Sequence, residues 1–197
     1  MTVSSPSTAL SGGILVGYDG SPTAGRALRW ALVEASARQV GVTVLQSWHE
    51  PVISEQTWLE RWRDPAHAER AAADELSRAV EQAVADHPGV ACTPLLVLER
   101  PASALIAAAA THQLMVVGSR GRGGFAALTL GSVAERVADE SPVTVVVVRG
   151  QGAEHGEIVV GVDGSRSSRC ALRWAVEEGR RHHQAVRALL AWSAVVP

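Results

Sequence analysis

Short apolar runs alternate along most of the chain with longer stretches in which apolar residues recur every three or four positions. Ile14 to Tyr18 is a strand-like run ending in Asp-Gly-Ser-Pro, a turn signal that also supplies helix N-cap chemistry. Behind it, Ala24 to Gln39 carries Ala27, Leu28, Ala31, Leu32 and Ala35 on one helical face, with Gly41 as the expected stop. The same reading predicts a strand over Val42 to Trp48, a long Ala-rich helix over Pro65 to Asp86, a strand over Val90 to Leu98 and a helix opening at Pro101. Leu114 to Val117 is then a fourth strand, Gly131 to Asp139 a helix, and the β-branched run Val143 to Val148 a fifth strand. His49 to Asp64 has no period. Its part around Trp58 and Trp62 is open to two readings, a lid or an amphipathic connector whose tryptophans pack on the sheet.

Strands that are apolar nearly end to end, each followed by a helix, predict the α/β class: a doubly wound parallel five-stranded sheet with helices on both faces. In such sheets ligands lie at the carboxyl ends of the strands that flank the switch in strand order. Chemistry is therefore expected after Tyr18 and after Val117.

The chain also repeats. Ile14-Leu-Val-Gly-Tyr-Asp-Gly-Ser21 returns as Ile158-Val-Val-Gly-Val-Asp-Gly-Ser165, Ala27-Leu-Arg-Trp-Ala31 returns as Ala171-Leu-Arg-Trp-Ala175, and Trp48 falls on Trp192 in the same register. A period this long is a duplicated domain rather than a solenoid. The implied organisation is a flexible tail over residues 1–13, a first domain over 14–150, a linker over 151–157 and an incomplete second copy over 158–197. That copy holds two strands and a helix, which are expected to be poorly stable unless they dock elsewhere. Its end at Pro197 reads as a truncation.

Composition narrows the chemistry. The 197 residues are 47% hydrophobic and 19% charged, and the formal net charge of -2 disfavours nucleic acid and anionic membranes as partners. Every basic residue is Arg, so Schiff-base chemistry, lysine general bases and the Lys of a Walker A loop are all excluded. Cys92 and Cys170 are the only cysteines, with no C-x-x-C, and no two histidines stand four apart, so no structural metal is expected. Cys92 reads as an inert strand residue rather than a redox sensor. Met1 to Gly13 lacks the basic start and apolar core of a signal peptide, and no apolar run approaches the ~20 residues that span a bilayer. The expected location is the cytoplasm.

After the fourth strand the chain reads Gly118-Ser-Arg-Gly121-Arg-Gly-Gly and, further on, Gly131-Ser132-Val133 at the start of a helix. Glycines let backbone amides approach an anion, a helix N-terminus adds its dipole, Ser132 could cap that helix, and Arg120 and Arg122 add charge. A plain flexible connection is the alternative. Asp19 is likewise either a turn residue or a carboxylate that binds a ribose hydroxyl or an adenine amine.

The spacing Gly118-x-x-Gly121, nine residues, Gly131-Ser132 resembles the ATP-binding motif of the universal stress protein family, and Ile14 to Ser21 is similar to that family's first strand. The resemblance covers residues 13 to 150 and restarts at Ile158, as in the tandem members of the family. It implies an adenine nucleotide alpha hydrolase-like, Rossmann-like fold and one ATP per chain, with Mg2+ carried by the phosphates. On the matching positions it implies nucleotide contacts from Gly17, Asp19, Ser47, Val117, Gly118, Ser119, Arg120, Gly121, Arg122, Gly123, Gly124, Gly131, Ser132 and Val133. It implies further a regulatory, stress-response module rather than an enzyme, with no catalytic residue and at most weak ATPase activity, and a homodimer paired through the Val143–Val148 edge. A slow ATP hydrolase or nucleotidyl-transfer enzyme is the alternative, as is a truncated fragment that binds nothing.

Overall fold

The structure is a computed structural model that describes residues 12–48, 65–121, 129–150 and 156–192. Two compact units divide it, Met1–Gly152 and Ala153–Pro197.

In the first unit β1 (Ile14–Gly17), α1 (Pro22–Arg38), β2 (Val42–Ser47), α2 (Pro65–Val84), β3 (Cys92–Val97), α3 (Pro101–Ala109), β4 (Leu114–Gly118), α4 (Ser132–Glu140) and β5 (Thr144–Val148) follow one another. The strands form one parallel sheet in the order β3-β2-β1-β4-β5, with Gly17 of β1 level with Leu45 on one side and Val117 on the other. This is the doubly wound five-stranded sheet that the alternation of elements predicts. Side chains alternate between its faces. Ile14, Val16, Val42, Val44, Leu114 and Val116 point to one layer with Ala27, Leu28, Ala31 and Leu32 of α1 and Leu76 and Val80 of α2. Leu15, Leu45, Met115 and Val117 point to the other, with Ala102 and Leu105 of α3 and Ala134 and Val137 of α4. The near-continuous apolar run of the central strands β1 and β4 thus follows from both faces being covered.

The end of α1 differs from the sequence expectation. Gln39, in the left-handed conformation at φ 57, closes α1, and its amide and that of Val40 bond back into the last turn. Gly41 does not form that stop; its carbonyl accepts the amide of Ile14 and leads the chain into β2. The two sheet edges also differ. Pro94 stands exposed in β3, where it blocks strand addition, whereas β5 is Thr-Val-Val-Val-Val with no such block.

A buried polar tie lies at the opposite, amino end of the strands. His112 is buried, its Nδ1 donating to the carbonyl of Ala108 at 2.9 Å and its Nε2 accepting from Thr43 Oγ1 at 3.1 Å. Both ring nitrogens are satisfied in place, which makes this a packing residue.

The second unit holds β6 (Ile158–Gly161), α5 (Arg166–His182) and β7 (Val186–Leu189), the strands again parallel with Ile158 level with Val186. Gly179 lets the helix lie directly on the start of β7, since a Cβ there would stand 2.6 Å from Val186 Cγ2. β7 ends at Leu189, three residues short of Trp192, the repeat's match to Trp48. Val159 and Leu189 are 55% and 56% exposed, whereas Leu15 and Leu45, at the matching positions of the repeat, are 0% and 2%. Among the described residues, no helix is long and apolar enough to cross a membrane.

Candidate functional site

The strand order puts β1 beside β4, and the chain leaves these neighbours in different directions, to β2 and to β5. Their carboxyl ends therefore border a crevice rather than a covered surface. Gly17, the last residue of β1, is there for packing: its missing Cβ would stand 3.0 Å from Leu105 Cδ1 and 3.1 Å from Val117 Cγ1. Asp19 follows in the turn, where its Oδ1 accepts the amide of Ser21 at 3.0 Å. Ser21 caps α1, its Oγ accepting the amide of Ala24 at 3.2 Å, and Pro22 opens the helix with no amide to satisfy.

The glycine segment begins flush against this turn. Gly118 ends β4, and a Cβ on it would lie 2.8 Å from the carbonyl carbon of Thr23 and 3.0 Å from the amide of Ala24, so only glycine lets the two elements meet. Ser119 is buried; its amide donates to Val148 at 3.0 Å and its carbonyl accepts the amide of Gly131 at 2.8 Å. That second bond closes the two limbs of the segment at their base. The hydroxyl of Thr23 donates to the carbonyl of Arg120. A Cβ on Gly121 would stand 2.6 Å from Asp19 Oδ2.

Helix α4 starts without a side-chain cap. Its N-cap is Gly131, and Ser132 is the first helical residue and exposed, so the expectation that Ser132 caps this helix is corrected. A glycine at the cap leaves the first-turn amides with no side-chain acceptor among the described residues, and the helix dipole makes that end attractive to an anion. Val133 is half-buried and packs toward the α3–α4 layer.

The structure thus gathers Gly17, Asp19, Val117, Gly118, Ser119, Arg120, Gly121, Gly131, Ser132 and Val133 at the ends of two adjacent strands. Ser47 sits at the carboxyl end of β2, the next strand over, with its hydroxyl donating to the carbonyl of Glu99. Arg122, Gly123 and Gly124 lie outside the described residues, as do Trp58 and Trp62. Sequence reasoning missed Thr23. A threonine in the first turn of a helix carries no signal of a partner 97 positions away.

The fold defines an α/β protein with a doubly wound parallel sheet, in which the glycine segment and the β1–α1 turn meet at the strand switch. The model of the universal stress protein family matches residues 12–149, and the chain belongs to that family. It is 38% identical over 136 residues to universal stress protein Rv2623 of Mycobacterium tuberculosis, a match that covers 69% of this chain and 44% of the relative. The chain therefore spans less than half the length of that relative. Among solved structures it resembles universal stress protein UspA from Lactobacillus plantarum, with TM-score 0.61 and 24% identity over 72% of this chain and 100% of the other. It resembles also a universal stress protein from Archaeoglobus fulgidus in complex with dAMP, with TM-score 0.51 and 23% identity over 71% of this chain and 99% of the other. A universal stress protein in complex with cAMP matches with TM-score 0.52 and 22% identity over 72% and 99%.

Proposed function

We propose that this chain is a nucleotide-dependent regulatory module that binds ATP, with Mg2+ carried by the phosphates, in the crevice between β1 and β4. The observation that carries the reading is the contact of Gly121 with Asp19, where the glycine segment and the β1–α1 turn meet with no room for a side chain. Phosphates would lie against the amide of Gly121 and the uncapped start of α4, with Arg120 adding charge. The sugar and adenine would lie toward Asp19 and the main chain at Ser47. Family relatives bound to dAMP and cAMP lend support to an adenine nucleotide.

On this reading the chain acts by binding rather than by turnover. Phosphoryl transfer needs a group that orients water and a holder for the metal, and the carboxylate at the crevice has one oxygen engaged by the Ser21 amide. The second unit is read as the start of another copy of the same domain. The location is cytoplasmic, and two chains pair through the unblocked β5 edge.

The test is titration calorimetry of the full chain with Mg-ATP, with Gly121→Asp as the control. Saturable binding near one site per chain, lost in the variant, is the expected result. A folded wild-type chain that takes up no adenine nucleotide sinks the reading.

A further inference from the structure

A chain of hydrogen bonds joins the cap of α1 to the glycine segment. The amide of Ala24 donates to Ser21 Oγ at 3.2 Å, Ser21 Oγ lies 3.0 Å from Thr23 Oγ1, and the Thr23 hydroxyl donates to the carbonyl of Arg120. With the Thr23 proton on Arg120, the Ser21 proton goes to Thr23, so each hydroxyl both accepts and donates and the bonds reinforce one another. The consequence falls on the next peptide. A trans peptide directs its C=O and N–H to opposite sides, and the described chain has no cis bond. With the Arg120 carbonyl turned onto α1, the Gly121 N–H is turned away from it. The Gly121 nitrogen lies 3.8 Å from where a Cβ on Gly131 would stand, at the entrance to α4.

We infer that Thr23 is a positioning residue for the phosphate site: its hydroxyl holds the Arg120–Gly121 peptide so that the Gly121 N–H joins the first amides of α4 in facing the anion. The inference rests on the nucleotide reading above. Thr23 itself is turned to the carbonyl side and touches no ligand. It acts by removing the other orientation of the peptide, which would present a carbonyl oxygen to the phosphate and repel it. A methyl group in place of the hydroxyl keeps the volume of the side chain and releases the peptide.

The test uses the full chain as wild type, Thr23→Val and Thr23→Ser, titrated with Mg-ATP, adenosine and inorganic tripolyphosphate. Thr23→Val is expected to weaken Mg-ATP and tripolyphosphate about tenfold, the size of one hydrogen bond to a charged group, while adenosine binding stays the same. Thr23→Ser restores both anions, and the Gly121 amide resonance shifts on adding tripolyphosphate in wild type and Thr23→Ser but not in Thr23→Val. Equal Mg-ATP affinity in wild type and Thr23→Val overturns the inference, as does an equal loss for adenosine, which would mark a general distortion. A wild-type chain that binds tripolyphosphate in a Thr23-dependent way but neither adenosine nor Mg-ATP sinks the nucleotide reading and leaves the positioning role standing. Binding of none of the three overturns both.

Discussion

Asp19 Oδ2 stands 2.6 Å from the point that a Cβ on Gly121 would occupy, so these two residues meet across the crevice at the distance of bare backbone. The φ of Gly121 is not in the left-handed region, so an alanine there would suffer no backbone strain, only collision with the carboxylate. Gly121→Ala is therefore expected to weaken Mg-ATP binding at least about tenfold, the effect of ~1.4 kcal/mol, with thermal stability nearly unchanged. Calorimetry and thermal unfolding on the same sample separate the two. Unchanged affinity would mean that the carboxylate can swing aside and that the close contact is incidental.

Gly118 fails in a different way. Its Cβ would meet the backbone of Thr23 and Ala24, at 2.8 and 3.0 Å, and helix backbone cannot rotate away as a side chain can. Gly118→Ala should therefore cost stability, on the order of 1–3 kcal/mol for an overpacked contact, as well as ligand affinity. Urea unfolding followed by circular dichroism reads the first effect, and a variant as stable as wild type would show that α1 slides on β4.

The repeat permits the same substitution in two environments. Leu45 is 2% exposed in β2 between the α3–α4 layer and its neighbours, whereas Leu189, its match in β7, is 56% exposed. Leu45→Ala should cost about 2–5 kcal/mol, as buried Leu-to-Ala changes do, and Leu189→Ala within about 0.5 kcal/mol. Comparable losses in urea unfolding would reveal that Leu189 is covered in solution.

Asp163 answers to pH. Hydrogen bonds from the Ser165 hydroxyl, then the Ser165 amide, then the Ser168 hydroxyl hold its carboxyl down at about 2, from an ordinary 3.8. A depressed carboxyl stabilises the fold above the unfolded value and loses that contribution as pH falls through the folded one. The Asp163 contribution is thus complete above about pH 4 and fades toward about 2. Titration of the Asp163 carboxyl carbon by NMR should show the low midpoint, and Ser165→Ala should move it upward. A midpoint near 4 in the wild type would mean that the turn opens in solution.

The β5 edge supplies the last expectation. Thr144 is exposed at the start of an otherwise all-valine strand, and on the proposed edge pairing an aspartate there would put a carboxylate into the β5 seam. Sedimentation of the full chain at micromolar concentration should show dimers in wild type and monomers in Thr144→Asp. A dimer that survives the substitution places the interface elsewhere.

Much of the scaffold was legible in the order of residues. Unbroken apolar strands such as Leu114 to Val117 mark a sheet covered on both faces, and the glycine spacing from Gly118 to Gly131 marks where backbone approaches closely, because each is a local property of side-chain size and polarity. The boundaries were less so. Gln39 rather than Gly41 closes α1, and Gly131 rather than Ser132 caps α4, since a chain can place several residues in a cap and tertiary packing chooses among them.

The sequence by itself determined the succession of strands and helices, the repeat of Ile14–Ser21 at Ile158–Ser165, and the residues from which an anion site could be made. Only the tertiary structure decided that Thr23 reaches Arg120 across 97 positions, that Gly121 abuts Asp19, and that Leu45 is buried while Leu189 is not. The reason is physical: propensity and periodicity act between near neighbours along the chain, whereas these relationships arise when β1 and β4 pair side by side and bring distant turns to one edge of the sheet.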